Sequence, residues 1–248
     1  MCGLTGIINL DGRPVREHDI KNMTRTLVHR GPDACKWIVD RNIAFGHTRL
    51  SIIDLSDRAT QPFQSLDGRY HLVYNGEIYN FLDIKRELRK EGYTFKTRSD
   101  TEVLLAAYQR WGLDVVNRLN GMFAFAVWDR QERRITLARD RYGIKPVYLF
   151  QSDDVVLFAS EIKALLAHPR VSREMDSEGL AEYLSFQNFF SSKTLFKNIK
   201  LFPRASYQTW SLNGVEKNNE SKRFWDYDFS APETSLSDME YVERTQDH

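Results

Sequence analysis

The sequence predicts an α+β fold in which sheets stack on each other and helices lie on the outside. Short β-prone segments come first, helices interrupt them, four more short strands follow, and helices return. This order lacks the regular strand–helix alternation of a doubly wound parallel sheet. With 248 residues, of which 42% are hydrophobic, the chain is large enough to bury the core that such a fold needs.

Turn and breaker signals mark the first strand and the first helix. Residues 4–10 are apolar and β-prone, and Asp11-Gly12 follows them, so a strand begins just after Cys2. Helical spacing of apolar residues predicts a helix from about 17 to 29, which Gly31-Pro32 ends. The face of this helix that is expected to be buried holds Ile20, Met23, Leu27 and Val28.

A strand pair and a long polar loop come next. Residues 37–39 and 43–47 predict two strands joined around Asp40-Arg41. Residues 46–54 begin as a strand and enter a polar loop that lasts to about residue 68. Residues 70–75 alternate and predict a strand that ends at Asn75-Gly76, because Asn-Gly is the strongest two-residue turn signal.

Two helices follow, each with a start and a stop signal. Asn80 is placed to cap a helix over 81–91, and Gly92 ends it. Residues 99–102 match a capping box and open a second helix, which Gly112 closes. The residues of the first helix that are expected to face inward are Leu82, Ile84 and Leu88.

The second half of the chain returns to β structure. Strands are predicted at 122–128, 135–139, 147–151 and 155–159, and helices at about 161–167 and 177–185. Residues 206–212 and Val215 flank the hairpin signal Asn213-Gly214, and residues 224–229 are aromatic and extended. Residues 230–234 are typical of a linker, and an amphipathic helix begins at about residue 235.

Composition excludes several classes of function. The net charge is +1 and no basic stripe is present, so the sequence does not indicate nucleic-acid binding. The apolar runs are too short to span a bilayer, and no secretory signal precedes the first strand. The chain has 2 cysteines, which fits a reducing compartment, so we expect a cytoplasmic protein.

The strongest chemical signal is Cys2, directly after the initiator Met. Removal of Met1 would give one residue with a thiol, whose ordinary pKa is about 8.5, and an α-amine, whose ordinary pKa is about 7.7–8.0. A base of that strength beside a nucleophile forms a catalytic pair near neutral pH. The alternative is that Cys2 is an ordinary second residue.

Four further groups are candidates for a site around such a thiol. Asn75-Gly76 offers a side-chain amide and a main-chain N–H to an oxyanion, or it forms a simple turn. Arg49 could clamp a carboxylate, or it belongs to a structural salt bridge. Glu77 and Asp100 could hold an ammonium group together, or they are a surface charge and a helix-capping residue.

Other reactive side chains are expected to be structural. His47 is not needed as a base where an N-terminal amine is present, and we expect it to be a hydrogen-bonded structural residue. Cys35 is expected to be an ordinary thiol. The histidines do not fall at the spacing of metal ligands, so no metal is predicted.

In combination, these features resemble the glutaminase domain of glutamine-hydrolysing asparagine synthetases over about residues 1–229. The motifs that carry the resemblance, in order, are MCGLTG (1–6), HRGPD (29–33), GHTRLSIID (46–54), YNGEIYN (74–80), SDTE (99–102), GMFAF (121–125), RDRYGIKP (139–146) and SEIKAL (160–165). The resemblance implies an N-terminal-nucleophile hydrolase fold, a four-layer α-β-β-α sandwich of two mainly antiparallel sheets.

The resemblance also implies a role for each candidate. Cys2 would attack the side-chain carboxamide of L-glutamine with its own α-amine as the base, and Asn75 and Gly76 would hold the oxyanion. Arg49 would bind the α-carboxylate of glutamine, and Glu77 and Asp100 would bind its α-amine. The chain departs from the family pattern at Ala34-Cys35-Lys36-Trp37, where further acidic residues and a Gly usually follow. The detailed shape of this loop is therefore open.

In the family, ammonia passes to a second domain that uses ATP and Mg²⁺ to activate a carboxylate and binds pyrophosphate through the motif Ser-Gly-Gly-x-Asp-Ser. The chain lacks that motif, so we expect residues 230–248 to be a linker and the first helix of a truncated synthetase domain. The expected partners are L-glutamine and an ammonia-accepting synthetase domain or subunit, with aspartate as the acceptor. A non-aspartate acceptor, a glutamine-sensing module without catalysis, and a homodimer stay open.

Overall fold

The protein, described by a computed structural model over residues 1–213, 220–229 and 237–246, contains two six-stranded antiparallel sheets. In these residues the strands are β1 (Gly3–Asn9), β2 (Ala34–Asp40), β3 (Ile43–Arg49), β4 (Phe63–Gln64), β5 (Tyr70–Ile78), β6 (Gly121–Asp129), β7 (Arg134–Arg139), β8 (Tyr148–Gln151), β9 (Val155–Ala159), β10 (Ile199–Leu201), β11 (Ser206–Ser211) and β12 (Lys222–Arg223). The first sheet has the order β10-β8-β9-β1-β3-β2, and the second has the order β12-β11-β7-β6-β5-β4.

The described residues also form seven helices, most of which pack on the outer faces of the sheets. They are α1 (Glu17–Arg25), α2 (Phe81–Lys90), α3 (Asp100–Trp111), α4 (Val115–Arg118), α5 (Ile162–Leu165), α6 (Ser177–Phe186) and α7 (Asp238–Gln246). Short 3₁₀ turns lie at Val28–Arg30, Asp57–Ala59 and Gly112–Asp114. None of the helices in the described ranges is long and apolar enough to cross a membrane.

Three apolar clusters separate four layers. One cluster lies between the two sheets, a second joins α2, α3 and α4 to the second sheet, and a third joins α1 and α5 to the first sheet. The predicted four-layer α-β-β-α sandwich is therefore confirmed. Burial of both faces of both sheets is the dominant favourable contribution to such a fold.

Strand β6 shows how the sequence specifies two buried faces. Phe123, Phe125 and Val127 pack against the helices, whereas Ala124, Ala126 and Trp128 pack between the sheets. Successive side chains of a strand point to opposite faces, so a continuous apolar run is what a doubly covered strand requires. The small alanines let the two sheets approach each other at this point.

The prediction that a strand ends in a turn at Asn75-Gly76 is wrong. Strand β5 continues to Ile78, and its pairing with β6 runs without a break from Tyr70 to Ile78. Gly76 is required here by close approach: a Cβ at this position would overlap the carbonyl oxygen of Met122 and the ring of Tyr74. The dipeptide therefore serves the strand and not a hairpin.

Some boundaries and faces also differ from the predictions. Helix α1 ends at Arg25, earlier than expected, and the 3₁₀ turn that follows leaves Val28 exposed. Leu82 lies on the outer face of α2 and is exposed. The short strands β4, β10 and β12 and helix α4 were not predicted, because two to four residues carry no clear periodicity. Gly214, Val215 and residues 230–236 lie outside the described residues, so the second hairpin and the linker are not described.

Helix caps are only partly as predicted. Ser99 Oγ accepts the N–H of Thr101 at 3.1 Å, so Ser99 is the N-cap of α3. Glu102 does not complete the capping box; its carboxylate accepts hydrogen bonds from Lys96 and Thr97 instead. Asn80 makes no capping bond to α2, because its side chain binds the main chain of Arg118 and Asn120.

His47 joins the two sheets. It lies on β3 in the first sheet, and its Nε2 donates to the carbonyl oxygen of Tyr74 on β5 in the second sheet at 3.0 Å. Burial is the main cause that lowers the pKa of His47 to about 4, so the ring is neutral near pH 7. The side chain therefore acts as a structural donor, as the sequence predicted.

Replacing Gly6 by alanine is expected to lower the free energy of unfolding by about 1–3 kcal/mol, the usual cost of overpacking a dense core. Gly6 pairs with Phe45 and Phe158, whose rings meet edge to face at 5.8 Å, and an added Cβ would overlap the ring of Phe158. Urea denaturation measures the loss. Phe158→Leu makes room, so the double variant should lose less than the sum of the two single losses. A change below about 0.5 kcal/mol for Gly6→Ala would contradict this packing.

Acid should destabilise the protein through His47. Its folded pKa of about 4 lies below the unfolded value of about 6.5, so the unfolded chain binds the extra proton and stability falls as pH drops through this window. We expect His47→Gln to remove about 1–3 kcal/mol of the loss between pH 7 and pH 4. Denaturation at a series of pH values tests this, with the exposed His18→Gln as the control. Equal slopes for His47→Gln and the wild type would refute the assignment.

Candidate active site

A cavity of about 230 Å³ contains all of the side chains that the sequence singled out for chemistry. It lies where the start of β1, the end of β3, the outer edge of β5 and the first turn of α3 meet. The predicted residues that line it are Cys2, Arg49, Asn75, Gly76, Glu77 and Asp100. The structure therefore brings together six residues that are spread over the first hundred positions of the chain.

Cys2 is held at the start of β1 by main-chain contacts. Its Sγ lies 3.6 Å from the carbonyl oxygen of Leu50, to which it can donate, and 3.4 Å from the N–H of the same residue. Arg30 Nε donates to the carbonyl oxygen of Cys2 at 2.9 Å, and its guanidinium is anchored in turn by Glu161. Burial raises the pKa of the Cys2 thiol, so the thiol is protonated near pH 7. A nucleophile in this state needs a base.

Arg49 presents a buried cation without a carboxylate partner. Its guanidinium donates to the carbonyl oxygens of Ser56 at 2.8 Å and of Asp54, and only 7% of the residue is exposed. Within the described residues no carboxylate oxygen lies within 4.0 Å of it. The structural salt bridge that was the alternative is therefore not formed in this part of the chain. Thr60 Oγ1 accepts a further hydrogen bond from it at 3.4 Å, so the charge is held by neutral groups only, and such a buried charge favours an anionic ligand.

The outer edge of β5 provides donors for an anion. The N–H of Tyr74 is accepted by Gln61 Oε1 at 2.6 Å, and the N–H of Ile78 by Asp100 Oδ2 at 3.2 Å. Strand alternation puts the N–H of Gly76 on the same edge, between these two, and no side chain of the described residues accepts it. Asn75 is 1% exposed, and its buried Nδ2 has no acceptor in the described part of the chain.

The carboxylates of Asp100 and Glu77 differ in the number of hydrogen-bond partners they have. Asp100, the first residue of α3, accepts the hydroxyl of Tyr74 at 2.8 Å and the N–H of Ile78, while burial raises the pKa of its carboxyl. Ser99 Oγ, next to it in the chain, accepts the capping N–H of Thr101 at 3.1 Å. Glu77 is half-buried at the cavity wall, and no hydrogen bond or ion pair engages its carboxylate in the described residues. Glu77 is thus available to a cation.

The loop after the first helix braces the opposite wall. The N–H of Asp33 donates to the carbonyl oxygen of Arg49 at 3.0 Å, and Asp33 Oδ2 accepts the N–H of Ser51 at 2.7 Å. The atypical residues 34–37 enter strand β2, which pairs with β3 in register. The departure from the family pattern therefore falls in the strand, and the part of the loop beside Arg49 is intact. Cys35 is a half-buried free thiol on this strand.

Sequence reasoning missed four residues of the site. Gln61, Tyr74 and Lys145 line the cavity, and Arg30 fixes the main chain of Cys2. Arg30, Tyr74 and Lys145 lie inside motifs that were recognised, but nothing in the residue type gave them a role. Gln61 comes from a long polar loop and carries no local signal.

The charges on the cavity wall are complementary to those of a zwitterionic amino acid. Arg49 supplies one buried cation, and Glu77 and Asp100 supply carboxylates in the same cavity. Opposite charges at fixed positions select a ligand by the arrangement of its own charges as well as by its size. Among the described residues no group of three or more His, Cys, Asp or Glu side chains could hold a metal ion.

Comparison with known proteins places this geometry in a family. The model of the glutamine amidotransferase domain matches residues 1–225. Asparagine synthetase [glutamine-hydrolyzing] 1 of Bacillus subtilis is 42% identical over 81% of this chain and 32% of its own length. Asparagine synthetase [glutamine-hydrolyzing] 3 of the same organism is 38% identical over 96% of this chain and 39% of its own length. The chain thus spans about a third of the length of these curated relatives.

A solved structure supports the fold independently of sequence. Glutamine phosphoribosylpyrophosphate amidotransferase from B. subtilis, complexed with ADP and GMP, aligns with a TM-score of 0.64 at 19% identity, over 91% of this chain and 50% of its own. At that identity the likeness speaks for the fold alone. The match of the family model over almost the whole chain shows that this protein belongs to the glutamine amidotransferase domain family.

Proposed function

We propose that this domain hydrolyses L-glutamine to glutamate and ammonia, with Cys2 as the nucleophile. One observation carries the proposal: the buried amide of Asn75, whose Nδ2 has no acceptor in the described part of the chain, lines the same cavity as the Cys2 thiol. A buried donor without a partner costs about 1–3 kcal/mol. A site that keeps such a donor beside a nucleophile is organised for an oxyanion.

The first step needs the α-amine of Cys2. After removal of Met1, this amine takes the proton of the buried thiol, and Sγ attacks the side-chain carboxamide carbon of glutamine. The tetrahedral intermediate places its oxyanion between Asn75 Nδ2 and the N–H of Gly76. The C–N bond then breaks, the protonated amine returns its proton, and ammonia leaves. A glutamyl thioester remains on Cys2.

Water completes the cycle. The neutral α-amine removes a proton from the water that attacks the thioester carbon, and the same two donors hold the second oxyanion. The C–S bond breaks, glutamate leaves, and the thiol is restored. One base and one pair of donors thus serve both halves of the reaction, since both pass through an oxyanion at the same atom.

The charged walls select glutamine. Arg49 binds the α-carboxylate through its guanidinium, and Glu77 with Asp100 binds the α-ammonium. The uncommitted carboxylate of Glu77 and the unpaired cation of Arg49 each gain a partner when the amino acid binds. The distance from these charges to Cys2 then selects an amino acid whose side chain has the length of that of glutamine. A ligand without the α-charges would leave buried Arg49 and half-buried Glu77 unpaired, which is costly.

The ammonia is proposed to pass to a synthetase domain that amidates aspartate with ATP and Mg²⁺. The support is the similarity to asparagine synthetases, of which this chain spans about a third, with residues 230–248 as the linker and first helix of that domain. Helix α7 is exposed along the side chains that are described. The cytoplasmic location stays a prediction, and so does a homodimer.

Replacing Cys2 by alanine should abolish glutamate release from glutamine, because Cys2 is the only thiol among the described residues that line the cavity. Coupled detection of glutamate measures the rate, with Cys35→Ala as the matched control that keeps its activity. Intact mass must show loss of Met1 from the active protein, since a retained Met removes the proposed base. Hydrolysis by Cys2→Ala at the wild-type rate would exclude the thioester mechanism.

Replacing Asn75 by alanine should lower kcat by about 10²–10³ with a smaller effect on KM, because one oxyanion donor is lost and the charges that bind glutamine remain. Steady-state kinetics on glutamine separate the two constants. Asn22→Ala on α1, behind the first sheet, is the control for the substitution itself. A rise in KM with unchanged kcat would show that Asn75 binds the ground state and not the oxyanion.

A further inference from the structure

Lys145 brings a buried ammonium group to the wall of the Cys2 cavity. The residue is 6% exposed, and its Nζ lies 3.6 Å from the sulfur of Met1, the residue that precedes Cys2. In the described part of the chain no carboxylate oxygen lies within 4.0 Å of this nitrogen. A lysine that is buried without an ion-pair partner is uncommon, because the desolvated charge is costly.

The loop that carries Lys145 is fixed at the main chain. Asp140, which is fully buried, accepts the N–H groups of Phe123, Tyr142, Ile144 and Lys145 at 3.0–3.2 Å. Arg139 Nε donates to the carbonyl oxygen of Lys145 at 2.9 Å. Both main-chain groups of Lys145 are thus held by buried side chains. Such bracing fixes the main chain from which the ammonium group reaches the wall of the cavity.

Most of the other charged groups near Cys2 and Lys145 already have hydrogen-bond or ion-pair partners. They are Arg30, paired with Glu161; Arg49, bound to carbonyl oxygens; Asp140, bound to four N–H groups; Asp100, bound to Tyr74; and Glu77. Under the proposed function, Arg49 receives the carboxylate of glutamine and Glu77 its ammonium. Among the described residues, Lys145 is then the charge at this wall that has no opposite partner.

A cation at this place acts on both groups of the nucleophile. A nearby positive charge disfavours the protonated form of an amine and favours the ionised form of a thiol. Burial opposes ionisation of the Cys2 thiol, and it also lowers the pKa of Lys145. Burial and the neighbouring positive charge therefore both act on Cys2, whose α-amine must be neutral to accept the thiol proton.

We propose that Lys145 is a positioning residue for the charge state of mature Cys2: after Met1 is removed, its ammonium group at the wall of the cavity keeps the α-amine in the neutral, proton-accepting form and favours the thiolate. The inference rests on the proposed function and adds a specific residue to it. Lys145 itself exchanges no proton with the substrate. Its positive charge, and not its amine chemistry, is what the site uses.

The test compares pH profiles of kcat/KM for glutamine in the wild type, Lys145→Met and Lys145→Arg. Methionine has a similar length and suits a buried position, so it removes the charge with little change in packing. In Lys145→Met the acid limb should move to higher pH by about one unit, with about a tenfold loss at pH 6.5–7 that disappears near the alkaline plateau. Lys145→Arg keeps the charge and should keep the position of the limb. Lys200→Met, on the exposed edge of β10, is the matched control.

A second readout does not need turnover. The rate of alkylation of Cys2 by iodoacetamide, followed by peptide mass over the same pH range, should show the same shift in Lys145→Met. An inactive wild type would refute glutamine hydrolysis, and the alkylation profile would still decide the role of Lys145. Equal profiles for the wild type and Lys145→Met would overturn the role of Lys145 alone. So would a loss that is uniform over pH, or an arginine variant as impaired as the methionine variant, which would make Lys145 a proton carrier.

Discussion

The unpaired outer edge of β5 is the constraint on which the site depends. Strand β4 covers this edge only at His71 and Leu72, so the edge groups of residues 74–78 must find other partners. An unsatisfied buried main-chain group is costly, so side chains from other parts of the fold form hydrogen bonds with this edge. Gln61 arrives from a loop, His47 from the other sheet, and Asp100 from the start of α3. The side chains that hydrogen-bond to this edge thereby form the wall of the cavity.

Within this row of satisfied groups, the N–H of Gly76 is left for a ligand. Its neighbours on both sides are bound to side chains, which fixes its direction to that of a rigid strand. The side-chain amide of the adjacent Asn75 is buried and has no acceptor among the described residues. Two donors that are fixed before the ligand arrives cost no reorganisation when charge develops, which is why such donors favour a transition state over a ground state.

The second feature of the site is a set of charges that the protein itself does not neutralise. Arg49 and Lys145 are buried cations without carboxylate partners in the described residues, and Glu77 is an uncommitted carboxylate. Each is a cost to the ligand-free protein, and each can be offset by a ligand or by an intermediate. Energetic costs of this kind are concentrated at functional sites. Arg69 and Asp129, at the far end of the second sheet, form an ordinary ion pair instead.

The sequence by itself determined the class of fold, stacked sheets with helices outside, and most strand positions, because apolar periodicity is local in the chain. The four layers and the set of residues that meet in one cavity followed from the resemblance of its contiguous motifs to a known family. The sequence assigned Asn75-Gly76 to a turn, since the same dipeptide has two uses and only the β5–β6 ladder decides between them. Gln61, Tyr74 and Lys145 became visible only in the tertiary structure. Gln61 and Tyr74 belong to the site through the edge of β5, and Lys145 through the cavity wall, where it has no ion-pair partner among the described residues. These are relations between residues far apart in the chain.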